Sequence, residues 1–390
     1  MIFIVIIVIL LLALAVLLYD FLPDFMNWVG RIGTGKVADD AEWLENVREI
    51  NMNWVSKGAP KVPYDENKRL KLIDTVKNFG SISTVAYWQE AALLKAATKK
   101  CGSDVKDDVN DLVIRFIDDI TGEWKKTPDR IDAAILAYEM MSNEFVNTDD
   151  IRPAMDYIAR MLKELYDEYG FIPYNKNDPK TRLVDTVGMV CPFLIKYALR
   201  YNKPEYLDIA VEQITQYREY GFDSETKMPF HGYDNESKAK LGICGWGRGC
   251  AWWTLGLTDS LKELMSFSGG CLREKTEISR LIVEILNETE KYVGKGGAVR
   301  RMIFNNSHPD SSATAMYAYC YAYMYSLSKN DKYRECSERM LKFLKSVTRR
   351  SGVIDFSQGD TMGIGYYSSG VSVIPAAQGF TCAAAELLNK

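Results

Sequence analysis

Histidine is scarce in this 390-residue chain, which has only His231 and His308. Neither histidine has a ligand-like spacing to other metal-binding side chains, so we expect no zinc site. The chain also lacks a G-x-S-x-G segment, a P-loop and a dinucleotide-binding fingerprint. Serine-hydrolase chemistry and nucleotide binding are therefore unsupported, and we expect neither a metal nor a cofactor.

Long runs of basic residues are lacking as well. Lys and Arg number 48 against 52 Asp and Glu, for a formal net charge of -4. Proteins that bind nucleic acid, or a membrane surface through polybasic segments, need clustered positive charge. We therefore predict no nucleic-acid partner.

C-x-x-C pairs are missing although the chain has eight cysteines. Four of them lie in apolar helical stretches, which is typical of buried thiols: Cys191, Cys320, Cys336 and Cys382. Cys244 and Cys250 flank one glycine-rich segment, and the sequence leaves open whether they are bonded to each other.

The first 19 residues carry no charged side chain. Met1 to Tyr19 consists almost wholly of Ile, Val, Leu, Ala and Phe, and as a helix it would span about 28 Å, close to the thickness of the hydrocarbon core. We predict a single-pass anchor in the lipid bilayer over residues 1–19 and a juxtamembrane linker over 20–40. A cleaved signal peptide is the alternative, although a basic n-region is lacking and the apolar run is long.

The charges around this segment also predict its orientation. The α-amine is the charge that precedes it, whereas Asp20 and Asp24 follow it before Arg31. We expect the N-terminus inside and the body of the protein outside the cytoplasm.

Helical periodicity continues through the rest of the chain, without a strand-rich block. The predicted helices are Ala38 to Trp54, Ser83 to Lys99, Val105 to Ile120, Asp132 to Glu144, Asp149 to Glu168, Asp185 to Tyr201, Pro204 to Tyr220, Trp246 to Phe267, Lys275 to Val293, Ser311 to Ser328, Lys332 to Val347 and Val371 to Leu388. A further short helix is predicted from Leu70 to Asn78.

These helices alternate in character. Val184 to Tyr197 and Ala313 to Met324 are apolar nearly all round, whereas Pro204 to Tyr220 and Lys332 to Val347 each have one charged face. A helix that is apolar all round is buried and an amphipathic one covers it. The joint Tyr201 to Tyr206 also recurs loosely as Ser328 to Tyr333, which indicates a repeated helical hairpin.

Six such hairpins closed into a ring form an all-α (α/α)6 barrel, which we predict for residues 41–390. An open helical solenoid is the alternative. Long irregular connections such as Phe222 to Gly245 favour the barrel, because a solenoid has little use for them.

One segment combines residue types suited to an acidic sugar. Gly245-Trp246-Gly247-Arg248-Gly249 follows His231-Gly232-Tyr233-Asp234 and precedes Trp252-Trp253. Indole rings stack on sugars, a guanidinium binds a carboxylate in two-pronged fashion, and glycines allow close backbone approach. The alternative is that the tryptophans belong to the core and Arg248 pairs with a structural carboxylate.

Two carboxylates, Asp132 and Asp185, stand at the starts of apolar helices. Each alone is compatible with helix capping. As a pair at one end of a barrel they suggest acid–base chemistry, because burial beside Met189 and Phe193 together with a second carboxylate would raise the pKa of one of them. His231 lies in a loop-like segment, where it either presents its side chain to a ligand or braces the loop.

Four motifs in order resemble those of unsaturated glucuronyl and rhamnogalacturonyl hydrolases, glycoside hydrolase families 88 and 105. They are Val184-Asp185-Thr186 with Met189 and Pro192-Phe193, then His231-Gly232-Tyr233-Asp234, Trp246-Gly247-Arg248-Gly249 with Trp252, and Asp310-Ser311-Ser312-Ala313. The resemblance covers roughly residue 83 to the C-terminus. It implies an (α/α)6 barrel that hydrolyses oligosaccharides carrying a Δ4,5-unsaturated uronic acid at the non-reducing end.

The resemblance also implies a mechanism and its residues. The vinyl ether is hydrated: one aspartic acid protonates C4 and its carboxylate then activates water onto C5. This role falls on Asp185, with Asp132 as the second carboxylate. His231 and Arg248 would bind substrate, and Trp246 or Trp252 would line the sugar subsite.

The chain departs from the family pattern at two places. Relatives usually continue the arginine motif as Gly-Asn-Gly-Trp, where this chain has Gly249-Cys250-Ala251-Trp252, and an aromatic residue often stands in place of Leu183. Two alternatives therefore remain: a non-catalytic, membrane-anchored glycan-binding relative, or an (α/α)6 glycosidase that acts on saturated glycans.

Overall fold

The computed structural model of the protein describes residues 2–60, 86–102, 104–166, 170–361 and 363–388. Within these ranges it contains thirteen α-helices: α1 Ile2–Arg31, α2 Asp40–Lys57, α3 Tyr87–Lys95, α4 Val105–Phe116, α5 Ala133–Ser142, α6 Arg152–Leu165, α7 Asp185–Tyr201, α8 Pro204–Tyr220, α9 Gly247–Ser266, α10 Leu272–Val293, α11 Ser311–Ser328, α12 Asp331–Ser346 and α13 Pro375–Leu387. The short helix predicted from Leu70 to Asn78 lies outside the described residues.

From α3 onward, helices alternate between two layers. The inner helices α3, α5, α7, α9, α11 and α13 each pack against the next, and α13 packs back against α3, so the ring closes. The outer layer packs on this ring: α6 on α5, α8 on α7, α10 on α9, α12 on α11 and α2 on α13. The predicted ring of helical hairpins is confirmed over the described residues, and the open solenoid is excluded.

Burial follows the hydrophobic pattern that predicted the two layers. Most residues of α7 and α11 are buried, all round the helix, whereas α8 and α12 bury one face. The repeated joint is confirmed as well, since Asn202 after α7 and Lys329 after α11 both adopt left-handed backbone conformations, with φ of 53° and 56°. Tyr206 and Tyr333, which follow them, are both buried.

The described part of the chain also contains five short strands, which were not predicted. β1 Thr181–Leu183, β2 Phe230–Asp234 and β3 Lys240–Cys244 form an antiparallel sheet in the order β1-β2-β3. β4 Ser357–Gln358 pairs with β5 Val371–Ser372, so the helix predicted from Val371 begins only at Pro375. In strands of two to five residues, apolar and polar side chains alternate too few times for the pattern to be recognised in the sequence.

Helix α1 extends beyond the predicted anchor. It continues to Arg31, so the first part of the segment interpreted as a linker is helical. Among the described residues it is the one helix that is long and apolar enough to cross a membrane, and no residue of its most apolar stretch is buried. Insertion of this helix into a bilayer remains a proposal.

Candidate active site

A cavity of about 630 Å³ opens where inner helices begin. The cavity end, as we call it, is the end of the ring that carries the N-termini of α5, α7, α9 and α11. All six residues predicted for the site line this cavity: Asp132, Asp185, His231, Trp246, Arg248 and Trp252. Helix N-termini carry partial positive charge, so their convergence favours an anionic ligand.

Asp185 is the first residue of α7 and is 8% exposed. Its Oδ2 lies 3.4 Å from Nε2 of His231, and no described residue hydrogen-bonds to that oxygen. The backbone sets this distance, because the N–H of Val184 donates to the carbonyl oxygen of His231 at 3.0 Å. Strand β1, which leads into α7, pairs with β2, which carries His231. The short sheet therefore brings the carboxylate and the imidazole together.

The other side of the His231 ring is held by Tyr367. Its hydroxyl lies 2.8 Å from Nδ1 and accepts the N–H of Ile243 at 3.0 Å. The phenol O–H of Tyr367 can then donate to Nδ1, which must carry no hydrogen to accept it. The network therefore favours the tautomer with hydrogen on Nε2, facing Asp185. Gly242 has φ of 76°, and a Cβ there would lie 2.6 Å from the Tyr367 hydroxyl oxygen. The loop thus needs glycine to seat Tyr367 against the histidine.

Asp132 precedes α5 and is 1% exposed. Its side chain makes no capping hydrogen bond, so capping does not account for its position. It pairs instead with Arg130, whose Nε lies 3.2 Å from Oδ1. Burial raises the pKa of Asp132 to about 6, although the charge of Arg130 opposes that shift. The charge of Asp360 also raises the pKa of Asp132.

Tyr174 lies near both carboxylates, Asp132 and Asp185. It is half-buried in the cavity wall. Burial raises its pKa, and the charges of Asp132 and Asp185 raise it further. Both aspartates are therefore close enough to act on the same phenol.

Arg248, near the start of α9, is 2% exposed and already has protein partners. Its Nη2 donates to the carbonyl oxygens of Gln358 and, at 3.1 Å, Gly359. Its Nε lies 3.6 Å from Asp310 and its Nη1 lies 3.9 Å from Asp360. The pairing with a structural carboxylate that the sequence left open is therefore present, on a guanidinium that also lines the cavity.

The predicted tryptophans occupy two parts of the wall. The Trp246 ring lies 4.4 Å from the His231 ring, and its Nε1 donates to Oε1 of Gln358 at 3.0 Å. Trp252 makes an edge contact with Trp88 at 5.5 Å. A Cβ on Gly188 would lie 2.6 Å from the carbonyl oxygen of Trp252, so this glycine lets α7 approach α9 closely.

Several cavity residues were missed from the sequence. Trp88, Arg130, Tyr174 and Asp360 line the cavity, and Tyr367 holds its histidine. Burial raises the pKa of Asp360, against the effect of Arg248. Arg130 had a signal, its position two residues before Asp132, whereas Asp360 and Tyr367 lie in an irregular loop with no local pattern.

The departures from the family pattern fall in different places. Leu183 is part of the cavity wall. Cys250 and Ala251 are fully buried in α9 and are not among the described residues that line the cavity. Cys250 and Cys244 are both free thiols, and the four cysteines predicted to be buried are buried.

The side chains of this cavity are suited to proton transfer to and from a ligand. It offers buried carboxylates in two environments, one beside an imidazole and one beside a guanidinium, together with indole faces. Such pairs of carboxylates with different surroundings are the usual means of acid–base catalysis in glycosidases.

Comparison with known proteins gives a family. Residues 63–386 match the family model of Glycosyl Hydrolase Family 88. Among curated proteins no match was found.

Solved structures with the same fold include three informative ones. A possible member of glycoside hydrolase family 105 from Klebsiella pneumoniae has 17% identity and a TM-score of 0.72, over 90% of this chain and 94% of that chain. An unsaturated glucuronyl hydrolase specific for heparin has 15% identity and a TM-score of 0.66, over 90% and 98%. The unsaturated glucuronyl hydrolase of Bacillus sp. GL1, responsible for the degradation of glycosaminoglycan, has 15% identity and a TM-score of 0.62, over 92% and 96%. At such identities the likeness concerns the fold.

Proposed function

Because the chain belongs to glycoside hydrolase family 88, we propose that it removes a Δ4,5-unsaturated uronic acid from the non-reducing end of oligosaccharides produced by polysaccharide lyases. The observation that carries this proposal is the contact between Asp185 and His231 in a cavity that also holds Asp132. The Asp185 side chain lines the cavity beside an imidazole and keeps 11% of its surface exposed, which supports a role in contact with the substrate.

In the proposed reaction, Asp185 supplies both proton transfers. Its protonated carboxyl donates the proton to C4 of the vinyl ether, and the resulting carboxylate accepts a proton from the water that attacks C5. The hemiketal so formed collapses and releases the remaining sugar. His231, with hydrogen on Nε2, positions the carboxylate through the 3.4 Å contact. A general acid–base of this kind contributes about 10²- to 10⁴-fold to a rate.

Asp132 has a different part in this proposal. It is held by Arg130 and is nearly inaccessible to solvent. With a pKa of about 6 it carries a charge that varies near neutral pH. It positions the substrate, and its charge acts on Asp185. The two carboxylates are close enough for this because the charges of both raise the pKa of Tyr174.

The remaining predicted residues bind the sugar. Trp246 and Trp252 offer indole faces on two sides of the cavity. His231 offers a hydrogen-bond donor, and Arg248 supplies positive charge near the uronate from a guanidinium that is fixed by backbone carbonyls. An arginine held in this way needs no reorganisation when the substrate binds.

The test is direct because hydration destroys the chromophore of the substrate. The full chain in detergent is incubated with lyase-generated fragments of pectin, rhamnogalacturonan, ulvan and glycosaminoglycans, and the ultraviolet absorbance of the double bond is followed. We expect bleaching with at least one class. Absence of bleaching with all four would reject the proposal.

The two alternatives give different results on the same fragments. A non-catalytic glycan-binding relative, which the unusual Leu183 in the cavity wall would suit, gives heat on calorimetric titration without bleaching. A glycosidase of saturated glycans releases sugar from saturated oligosaccharides with a defined anomeric configuration.

Anchoring by α1 is the second part of the proposal, with the body outside the cytoplasm. Its support is the run of exposed apolar side chains from Ile2 onward. The intact mass of the purified protein should include residues 1–19, and the protein should float with lipid vesicles and resist extraction by alkaline carbonate. A mass that lacks the apolar segment would identify a signal peptide instead.

A further inference from the structure

The part of α1 that follows the apolar run has two unlike faces. Asp20, Asp24, Asn27 and Arg31 recur at intervals of four, three and four residues, which places them on one helix face. Phe21, Phe25 and Trp28 recur at the same intervals on another face, and Ile32, directly after the helix, continues the spacing; we call these four residues the apolar stripe. This half of α1 is therefore amphipathic, unlike the half before it.

The end of the polar face, Asn27 and Arg31, contacts the rest of the protein. The guanidinium of Arg31 donates to both carboxylate oxygens of Asp355, at 2.8 and 3.0 Å, and to the carbonyl oxygen of Val371 at 3.0 Å. Arg349 also binds Asp355 and donates to Oδ1 of Asn27. Asp355 is fully buried. This is a bidentate, shielded ion pair, so the end of α1 is docked on the ring and not loosely tethered.

The docking point lies at the cavity end. Phe356, next to Asp355, accepts the N–H of Ser311 at the start of α11. Two residues further on, Gln358 accepts hydrogen bonds from Trp246 and Arg248 in the cavity wall. The same short loop thus holds the membrane-side helix on one side and the candidate active site on the other.

The apolar stripe is turned outward. Its members are 61%, 55%, 61% and 55% exposed, in sequence order. They continue directly from the apolar run, and the whole helix of 30 residues is about 45 Å long, which matches a bilayer together with its headgroup regions. Tryptophan, here Trp28, is favoured at that level of the membrane. Little helix is left over to act as a stalk.

We infer that the apolar stripe seats the ring on the surface of the lipid bilayer with its cavity end toward the membrane, so that the candidate active site opens close to that surface. This inference rests on the proposed anchoring by α1 and is independent of the proposed reaction.

The test measures which end of the ring is near lipid. Single labelling sites are Asn177→Cys, exposed at the cavity, and Lys203→Cys, exposed just after the other end of α7. The two sites are separated by the length of α7, about 25 Å. The background carries serine at the three partly exposed cysteines, Cys101, Cys244 and Cys271. The full chain is reconstituted in phosphatidylcholine vesicles that contain a nitroxide on the lipid headgroup, and quenching of a fluorophore at each site is compared.

We expect the label at residue 177 to be quenched several-fold more strongly than the label at residue 203. A protein that floats with the vesicles but shows equal or reversed quenching overturns the inference and leaves the anchoring intact. A protein that does not float overturns the anchoring, and the inference with it.

A variant isolates the stripe. Phe21→Ser, Phe25→Ser and Trp28→Ser together should leave flotation unchanged and lower the quenching at residue 177 toward that at residue 203. The matched control replaces two exposed apolar side chains elsewhere, Ile120→Ser with Leu272→Ser, which are 90% and 76% exposed, and should change neither quantity. Unchanged quenching in the stripe variant would show that these side chains do not seat the ring.

Discussion

His231 has a neighbour at each ring nitrogen: Oδ2 of Asp185 lies 3.4 Å from Nε2, and the hydroxyl of Tyr367 lies 2.8 Å from Nδ1. The ring is 3% exposed and packs on Trp246. A hydroxyl, an imidazole and a carboxylate therefore lie in sequence at the cavity wall. It predicts distinct consequences for changes at either end.

At the carboxylate end, Asp185→Asn should lower turnover of the best unsaturated oligosaccharide by at least about 10³-fold, because the amide can neither donate nor accept the required proton. Binding of the oligosaccharide, measured by calorimetry, should be kept. The control Asp208→Asn, at an exposed position on α8, should be as active as the wild type. Near-normal activity of Asp185→Asn would move the catalytic role to another residue.

At the hydroxyl end, Tyr367→Phe should reduce kcat more than it changes KM, since the imidazole loses the partner that sets its tautomer. The N–H of Ile243 also loses its acceptor, which should cost about 1–3 kcal/mol of unfolding free energy. The two effects are separated by steady-state kinetics and urea denaturation. An unchanged kcat with reduced stability would make Tyr367 a purely structural residue.

The raised pKa of Asp132 should make the stability of the protein depend on pH. Burial raises its pKa from 3.8 to about 6, so the folded state binds this proton more tightly than the unfolded chain. The group's contribution to stability is fully present below pH 3.8 and is lost as the pH rises through about 6, with a total of about 3 kcal/mol at roughly 1.4 kcal/mol per unit.

The variant Asp132→Asn cannot ionise and should escape this loss. Its unfolding free energy relative to wild type should therefore rise between pH 4 and pH 8, as measured by denaturant titration at each pH. Asp208→Asn serves as the control. A difference that does not vary with pH would show that Asp132 keeps an ordinary pKa.

Replacing Lys95, at the other end of the ring, should strongly destabilise the fold. Its Nζ lies 2.7 Å from Glu139 and 2.9 Å from Asp259, and its side chain is 4% exposed. Lys95→Met would leave two buried carboxylates without their cation, at a cost of about 3–5 kcal/mol.

The measurement is the urea unfolding midpoint. Lys99→Met, at an exposed lysine paired with Glu144, should leave it unchanged. Adding Glu139→Gln and Asp259→Asn to Lys95→Met should recover part of the loss, because the uncompensated charges are then removed. No recovery would mean that packing, not charge, is what Lys95 contributes.

Replacing Leu183 should alter the substrate preference. It lines the cavity two residues before Asp185, so Leu183→Phe changes the shape of the wall without touching the carboxylate. We expect the ratio of kcat/KM between two unsaturated oligosaccharides to change by about tenfold, the usual scale of one apolar contact. Cys250→Ala, in the buried body of α9, should leave that ratio unchanged. Equal ratios in both variants would place specificity elsewhere.

Much of the fold could be predicted because helices of ordinary length have a strong hydrophobic period. The two layers could be predicted because the segment from Val184 to Tyr197 is apolar all round, whereas the next segment, Pro204 to Tyr220, is charged on one face. The six predicted site residues were brought together because they stand near the beginnings of inner helices or on the adjoining strand β2. The short strands and the helical extension of α1 to Arg31 had weaker signals and were missed.

The loop from residue 347 to 374 shows why the rest could not be predicted. It supplies Asp355 to Arg31, Gln358 to Trp246 and Tyr367 to His231. Each partner is more than a hundred residues distant in sequence, and a loop without regular period does not indicate which distant helix it will contact.

The sequence by itself determined the alternation of buried and covering helices, since each segment's side chains decide how much apolar surface it must hide. The tertiary structure alone decided the states of the functional groups. Asp132 gains a pKa of about 6, Arg248 is held by backbone carbonyls, and the polar face of α1 is docked at the cavity end. These outcomes depend on desolvation and on contacts across the closed ring, which no local stretch of sequence contains.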